Sequence, residues 1–415
     1  MTSIIKDPSL VDEGRVKVEW ARDNMPALRE IYTELKDRRP FEGYRISLCL
    51  HITKETGVFV EYLKLLGAEV SLAASNPLST QDDVAAYLSS IDINVYGWRG
   101  MSKDDYYRML ASALDIEPDL VVDDGGDIHS LIHSRFPELA SNIIGGTEET
   151  TTGVIRLKAL ESENKLRYPV IAVNDTPTKR VIDNRFGSGQ STVDGFLRAT
   201  SLLIAGKTVV VAGYGYVGRG VASRFRGLGA KVIVTEVDPL KALEAYLDGF
   251  MVMKMSDASQ IGDIFITCTG MKDVIRKEHI EAMKDGVFLA NAGHFNVEID
   301  VKALEMLSLK KRLVRPYIEE YVLKDGRRIY LIGEGRLINL VAAEGHPPDV
   351  MMASFSNQLL SLLYLLESGS KMERQVYNVP KEIDEKVAKY LLKGWNINID
   401  VLTEEQKKYW RDWRI

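Results

Sequence analysis

Lys179 and Asp183 stand four residues apart in "NDTPTKRVIDN", which puts both on one face if the segment is helical. An ammonium and a carboxylate so placed make a surface ion pair or, inside a cleft, a proton-transfer pair. Five further clusters gather residue types that move protons or hold hydroxyls. They are "HITKET" (His51, Thr53, Glu55), "DDGGD" (Asp123, Asp124, Asp127), "TEETTTG" (Glu149, Thr150, Thr151, Thr152), "NAGHF" (His294) and "EGHPP" (Glu344, His346). Each has a plain alternative. A lone histidine such as His51 is more often a satisfied structural residue. "DDGGD" suits a magnesium site or a polar turn, and no Walker A motif is present to bring a nucleotide triphosphate to the former. The threonine run suits a loop that donates hydroxyls and amides, or ordinary helix capping. His129 and His133 have a zinc-like i, i+4 spacing, but Ser130 stands where a metalloprotease needs Glu, so both are expected to be structural. No metal site is expected.

The stretch "VVVAGYGYVGRGVASRFRGLGAKVIVTEVD", residues 209–238, carries a different chemistry. Val209, Val210 and Val211 read as a buried parallel strand. Gly213, Gly215 and Gly218 follow in the spacing G-x-G-x-x-G: one for a tight turn, one for close approach to a pyrophosphate, one for helix packing. A helix expected over roughly 217–228 would point its N-terminal amides at the phosphates. Gly213, Tyr214, Gly215, Tyr216, Val217 and Gly218 are therefore the expected cofactor loop. Glu236, at the end of the next strand, is placed to hold ribose hydroxyls. Its carboxylate repels a 2′-phosphate, which favours NAD over NADP.

These clusters need a scaffold, and the chain alternates strand and helix along most of its length. "YRISLCLHIT", "AEVSLAAS", "INVYGW", "DLVVDDGG" and "YPVIAVND" read as strands of one unit. "GKTVVVAG", "KVIVTEVD", "IFITCTG", "GVFLANAG" and "RIYLIGEG" read as strands of a second. The expected class is α/β, with two doubly wound parallel sheets. "GHPPDVMMASFSNQLLSLLYLLESG" reads as a helix that crosses back onto the first unit, making it discontinuous. The second unit, a Rossmann fold, is thus expected as an insertion, with a ligand cleft between the two.

The 415 residues suit two domains, and 45% hydrophobic with 27% charged residues is an ordinary globular balance. A net charge of −6 with no basic block argues against non-specific nucleic-acid binding. "MTSIIKDPSLVDEG" lacks the apolar core of a signal peptide, and "LLSLLYLL" is too short to span a bilayer. Two cysteines, Cys49 and Cys268, offer neither a disulfide framework nor a cysteine zinc site, so a reducing cytoplasm is expected.

Taken in order, "LHITKET", "STQDDVAAYL", "DDGGD", "EETTTGV", the Asn174…Lys179…Asp183–Asn184 set, "VVVAGYGYVGRG", "VTEVDP", "NAGHFNVEID", "EGRLINL" and "GHPPDVM" resemble the S-adenosyl-L-homocysteine hydrolase family nearly end to end. The resemblance implies tightly bound NAD that oxidises the substrate's 3′-hydroxyl and is restored within the same turnover. The ketone acidifies C4′–H, homocysteine leaves by elimination, water adds, and reduction at C3′ completes a reversible hydrolysis to adenosine. By matched motif, Lys179 and Asp183 hold the ribose hydroxyls and Lys179, transiently neutral, takes the 3′ proton. Asp124 and His51 act at C4′ and C5′, Glu149 holds the 2′-hydroxyl, and His294 closes over the ribose. Thr53 and Glu55 contact the purine and His346 the far end of the nucleoside pocket. Thr150, Thr151, Thr152, Asn184, residues 213–218, Glu236, Thr269, Asn291 and Asn339 contact NAD.

The implied organisation is a substrate domain of residues 1–184 and 346–395, an NAD domain of 185–345 and a tail of 396–415, assembled as a homotetramer. Three positions depart from the family pattern. Ser188 replaces a frequent cysteine, which bears on redox tuning. Glu344 replaces a methionine; facing the base, it would accept from an adenine amine or mark hypoxanthine, hence S-inosyl-L-homocysteine. The end "QKKYWRDWRI" replaces the usual tail that reaches a neighbour's NAD, leaving Lys407, Lys408 and Arg411 as the available substitutes. A plain 2-hydroxyacid or amino-acid dehydrogenase and a non-catalytic NAD sensor are the rival readings. Intact Lys179, Asp183, Asp124 and His51 speak against the sensor, which has no need of them.

Overall fold

The structure, a computed structural model, describes residues 3–414. Its strands are β1 (Arg45–Leu50), β2 (Glu69–Ala74), β3 (Asn94–Tyr96), β4 (Leu120–Asp123), β5 (Gly145–Glu148) and β6 (Val170–Ala172), then β7 (Thr208–Ala212), β8 (Lys231–Thr235), β9 (Met251–Val252), β10 (Ile264–Thr267) and β11 (Val287–Asn291), and last β12 (Ser308–Arg315), β13 (Ile318–Leu323), β14 (Arg328–Ile332) and β15 (Val376–Asn378). They form two sheets, ordered β15-β6-β5-β4-β1-β2-β3 and β12-β13-β14-β11-β10-β7-β8-β9. The first is parallel throughout. The fold is α/β, as expected, but the second sheet is mixed. β13 runs antiparallel to β14, and β12 to β13. β12 escapes a sequence reading because it is an edge strand whose Lys310, Lys311 and Arg312 stay exposed. Charges there block pairing with another chain, at the expense of the alternation that marks a strand.

Apolar β-branched runs make the central strands, and both faces are covered by helices. The long helix Pro348–Ser368 starts at a proline that needs no amide partner. It returns to the first sheet's core, where Phe355 stacks on Phe59 with centroids 4.8 Å apart and Leu359, Leu362 and Leu365 are fully buried. β15 then pairs with β6. Chain order runs outward both ways from β1 in one sheet, and from β7 as far as β9 on one side and β11 on the other in the second. Each sheet therefore has a crevice where successive loops diverge, between β1 and β4 and between β7 and β10.

The crossing from one sheet to the other is a π-helical turn, Arg180–Gly187, running into the helix Ser188–Thr200. It packs against the helix Tyr216–Gly227 at Gly220, where a Cβ would lie 1.8 Å from the Arg185 carbonyl oxygen. Only a residue without a side chain admits that contact.

Candidate active site

A cleft opens where the two crevices face each other. β1 delivers His51 to it, β4 delivers Asp124, and the loop after β5 delivers Glu149, Thr150, Thr151 and Thr152. From the second sheet come Val217, Cys268, Thr269 and His294. Thr53, Asn174, Lys179, Asp183, Asn184, Ser188, Asn339 and His346 complete the polar wall, while Leu337, Leu340, Met351 and Phe355 supply an apolar part.

Lys179 is the hub. Its Nζ donates to Asn184 Oδ1 at 2.8 Å and lies 3.3 Å from Asp183 Oδ1 and 3.5 Å from Glu149 Oε1. The π-helical turn holds the Lys179–Asp183 pair inside the cleft rather than on the surface; such turns recur at functional sites. Burial opposes the Lys179 charge, but Asp183, Glu149 and Asp124 outweigh it and hold the pKa above its ordinary value. Three carboxylates thus keep Lys179 protonated, and the transient neutrality that the resemblance implies needs a positive charge nearby. Burial would raise Asp183 as well, but Lys179, His346 and the Ser354 hydroxyl at 2.9 Å pull it well below the carboxylate range. Glu149 goes the other way, pushed up to about 7 by burial against the opposing pull of Lys179. Gln358 donates to its Oε2 at 2.6 Å, and Oε1 has no hydrogen-bond donor.

A second group sits across the cleft. Asp124 lies between His51 Nε2, 3.5 Å from Oδ2, and His294 Nδ1, 3.7 Å from Oδ1. Burial raises Asp124, with both His294 and Lys179 opposing the rise. Burial drives His51 down to about 3, helped by His346, so the ring is neutral at physiological pH. Its Nδ1 is 2.7 Å from Ser79 Oγ, whose own proton goes to the Asn76 carbonyl. His51 Nδ1 therefore donates, which leaves Nε2 as a free base facing the cleft.

The second sheet fits a dinucleotide. Gly213 has φ +97°, and a Cβ on Gly218 would lie 2.0 Å from the Gly213 oxygen, whereas Gly215 has open space beside it. The helix Tyr216–Gly227 starts there and aims its amides at that space. Glu236 closes the loop, its Oε2 accepting from the Tyr214 amide at 2.7 Å. Asn339 presents a buried Oδ1 without a partner on the cleft side, an acceptor suited to a carboxamide.

Some expected residues lie elsewhere. The Asn291 side chain is spent inside its own loop: Nδ2 donates to the Gly293, Phe295 and Gly335 carbonyls and Oδ1 accepts from Thr267, so it does not line the cleft. Glu55 is buried behind the wall with Lys54 Nζ 3.1 Å from its Oε1. Glu344 does not line the cleft. Its side chain is 59% exposed and pairs with Lys54 at 2.9 Å and Arg198 at 3.5 Å, bridging the two units. His346 lines the cleft beside Asp183, with Nε2 3.3 Å from Oδ1. Gly213, Tyr214, Gly215, Tyr216, Gly218 and Glu236 ring the phosphate approach outside the main cleft. His129 is structural, held between the Tyr168 hydroxyl and the Thr147 carbonyl. Ser354 and Gln358 escape the sequence reading. Their signal is a row of polar residues in an apolar helix, where Ser354, Ser356, Asn357, Gln358 and Ser361 are all fully buried.

A dinucleotide crevice facing a cleft of titratable side chains defines an NAD-binding enzyme. Two family descriptions match the chain: "S-adenosyl-L-homocysteine hydrolase" over residues 2–136 and "S-adenosyl-L-homocysteine hydrolase, NAD binding domain" over 184–345. The adenosylhomocysteinase of Sulfurisphaera tokodaii is 58% identical over 410 residues, covering 99% of this chain and 98% of that one. That of Aeropyrum pernix is 57% identical with 99% of each covered. The S-inosyl-L-homocysteine hydrolase of Methanocaldococcus jannaschii is 54% identical, again with 99% of each covered. The chain belongs to the S-adenosyl-L-homocysteine hydrolase family.

Proposed function

We propose that the protein hydrolyses S-adenosyl-L-homocysteine reversibly to adenosine and L-homocysteine. The observation that carries this reading is the Lys179–Asp183–Glu149 group set against Asp124, His51 and His294 in one cleft beside the glycine loop. NAD, when bound, accepts a hydride from C3′ and returns it at the end of the turnover.

Every other step falls to the chain's own residues. Asp183 and Glu149 accept from the ribose hydroxyls. Lys179 takes the 3′-hydroxyl proton once it has lost its own, and Glu149, 3.5 Å away and near neutrality, is the acceptor for that proton. Bound in its oxidised form, the cofactor would supply a positive charge that lowers the Lys179 pKa and favours the transfer. With a ketone at C3′, the C4′ proton is acidic. Asp124, its pKa raised by burial, is a stronger base than an ordinary aspartate and removes it. Homocysteine then leaves C5′ as thiolate. His51 Nε2 accepts a proton from the water that adds at C5′ and passes it on as C4′ is reprotonated. Closure of the two units excludes competing water.

Thr53, Thr150, Thr151, Thr152, Asn184, Thr269, Asn339 and His346 complete the substrate and cofactor contacts. The proposed domains are 1–184 with 346–395, 185–345, and a tail of 396–415. The protein works in the cytoplasm as a homotetramer, a reading supported by tail residues Trp410 and Trp413, 79% and 88% exposed. Light scattering on a chain ending at Thr403 checks the tail's part in assembly. Incubation with S-adenosyl-L-homocysteine and adenosine deaminase tests the activity: free homocysteine thiol is expected, and its absence at saturating NAD refutes the reading.

A hypoxanthine base is a second reading with an observation of its own. The S-inosyl-L-homocysteine hydrolase of Methanocaldococcus jannaschii, at 54% identity over 99% of this chain, supports it. The ratio of kcat/KM for the two thioethers separates the readings.

A further inference from the structure

His294 comes from the second sheet and rests on a residue of the first. A Cβ built on Gly125 would lie 2.4 Å from His294 Nε2, so the ring packs directly on the Gly125 backbone, whose φ is +118°. Gly125 directly follows Asp124. Both polar groups of this residue are held. Its amide donates to Glu148 Oε1 at 2.9 Å, and its carbonyl accepts from Arg156 Nη1 at 2.7 Å.

Glu148 Oε1 also takes the amide and the hydroxyl of Thr150, both at 2.8 Å. One carboxylate oxygen thus ties the loop after β4 to the threonine loop after β5. Glu148 is fully buried and its Oε2 has no partner, a costly arrangement in an apolar setting. An apolar side chain would avoid that cost but would leave the Gly125 and Thr150 amides without acceptors. Arg156 Nη1 also reaches Asp127 Oδ1 at 2.7 Å, and its guanidinium lies 5.9 Å from the ring centroid of Phe295, the neighbour of His294. Neither Glu148 nor Arg156 lines the cleft.

We propose that Glu148 and Arg156 are positioning residues that pin the Gly125 peptide as the seat for His294, and thereby set Asp124 at its working distance from C4′. The proposal rests on Asp124 being the C4′ base. Loosening the seat slows proton removal at C4′ without comparable harm to oxidation at C3′, which depends on Lys179, Asp183 and Glu149.

The experiment incubates NAD-loaded enzyme with adenosine in deuterium oxide and reads two signals. One is the absorbance of reduced nicotinamide, which reports oxidation. The other is deuterium at C4′ of recovered adenosine, which reports removal of the proton and its replacement from solvent. In Glu148→Met, which removes the acceptor, and in Arg156→Met, C4′ exchange is expected to slow at least about tenfold while cofactor reduction changes less than about threefold. Arg156 is about a third exposed at 34%, so its variant is expected to fold and decides the matter where Glu148→Met does not. Equal losses in the two signals, or no loss in either, would overturn the seat. An Asp124→Asn control separates the underlying reading. Wild-type exchange in that variant removes Asp124 as base and the proposal with it. Lost exchange there beside normal exchange in Arg156→Met overturns the seat alone.

Discussion

Glu149→Gln is expected to stabilise the protein at alkaline pH while destroying its activity. The wild-type carboxyl is buried, with Gln358 on Oε2 and Lys179 3.5 Å from Oε1, and burial pushes it from 4.5 up to about 7. The folded state therefore holds this proton more tightly than the unfolded chain does. Stability linked to Glu149 is fully present below pH 4.5, falls as pH rises, and is lost above about 7. At about 1.4 kcal/mol per pH unit, the loss is about 3 kcal/mol. Glutamine mimics the protonated acid in shape and cannot ionise. The variant should match the wild type near pH 5 and exceed it at pH 8.5 by up to about 3 kcal/mol. Thermal unfolding of both NAD-loaded proteins across that range is the assay, read as the difference in Tm. A difference that stays flat with pH would show that Glu149 does not titrate near neutrality, and would remove it as the acceptor for the Lys179 proton.

Asp183→Asn breaks a buried pair and should cost about 3–5 kcal/mol at neutral pH. Because Asp183 is held well below its usual range, that deficit should shrink as pH falls below about 4, which acid unfolding curves will show. The same variant should slow reduction of bound NAD by adenosine about a hundredfold or more in a stopped-flow measurement. Glu236→Ser removes the carboxylate at the end of β8 and should lower the preference for NAD over NADP at least about tenfold, read as the ratio of dissociation constants. Glu344→Ala should leave the ratio of kcat/KM for the adenosyl and inosyl thioethers within about threefold and change stability by no more than about 1 kcal/mol, because the Glu344 carboxylate is more than half exposed and lies outside the cleft.

What the sequence made legible follows from how local each signal is. The glycine loop was readable because turn, helix start and terminal carboxylate all lie within residues 209–238, and each has a backbone cause visible in one dimension. The strands around β1, β4, β7 and β10 were readable because fully buried strands are continuous apolar runs. β12 was not, since an exposed edge strand rich in lysine and arginine carries no such run. Asn291 and Glu344 were misplaced for a different reason. A polar residue in a motif shows that it has partners but not which ones. Asn291 finds them in the carbonyls of its own loop, and Glu344 in Lys54 and Arg198, 290 and 146 residues away.

The helix Pro348–Ser368 shows what a second, independent constraint adds. Its apolar stripe marks it as core, yet Ser354 and Gln358 sit at i and i+4 within that core, a spacing that puts both on one face. Buried polar groups must find partners, and the partners here are the carboxylates of Asp183 and Glu149. These two bonds reach the acids that flank Lys179 from a segment over 170 residues later in the chain. A charge balance that favours a protonated Lys179 is therefore not a local property of "TKRVID". It is set by the packing of a returning helix, so a substitution such as Gln358→Leu should alter the titration of Glu149 without touching the substrate.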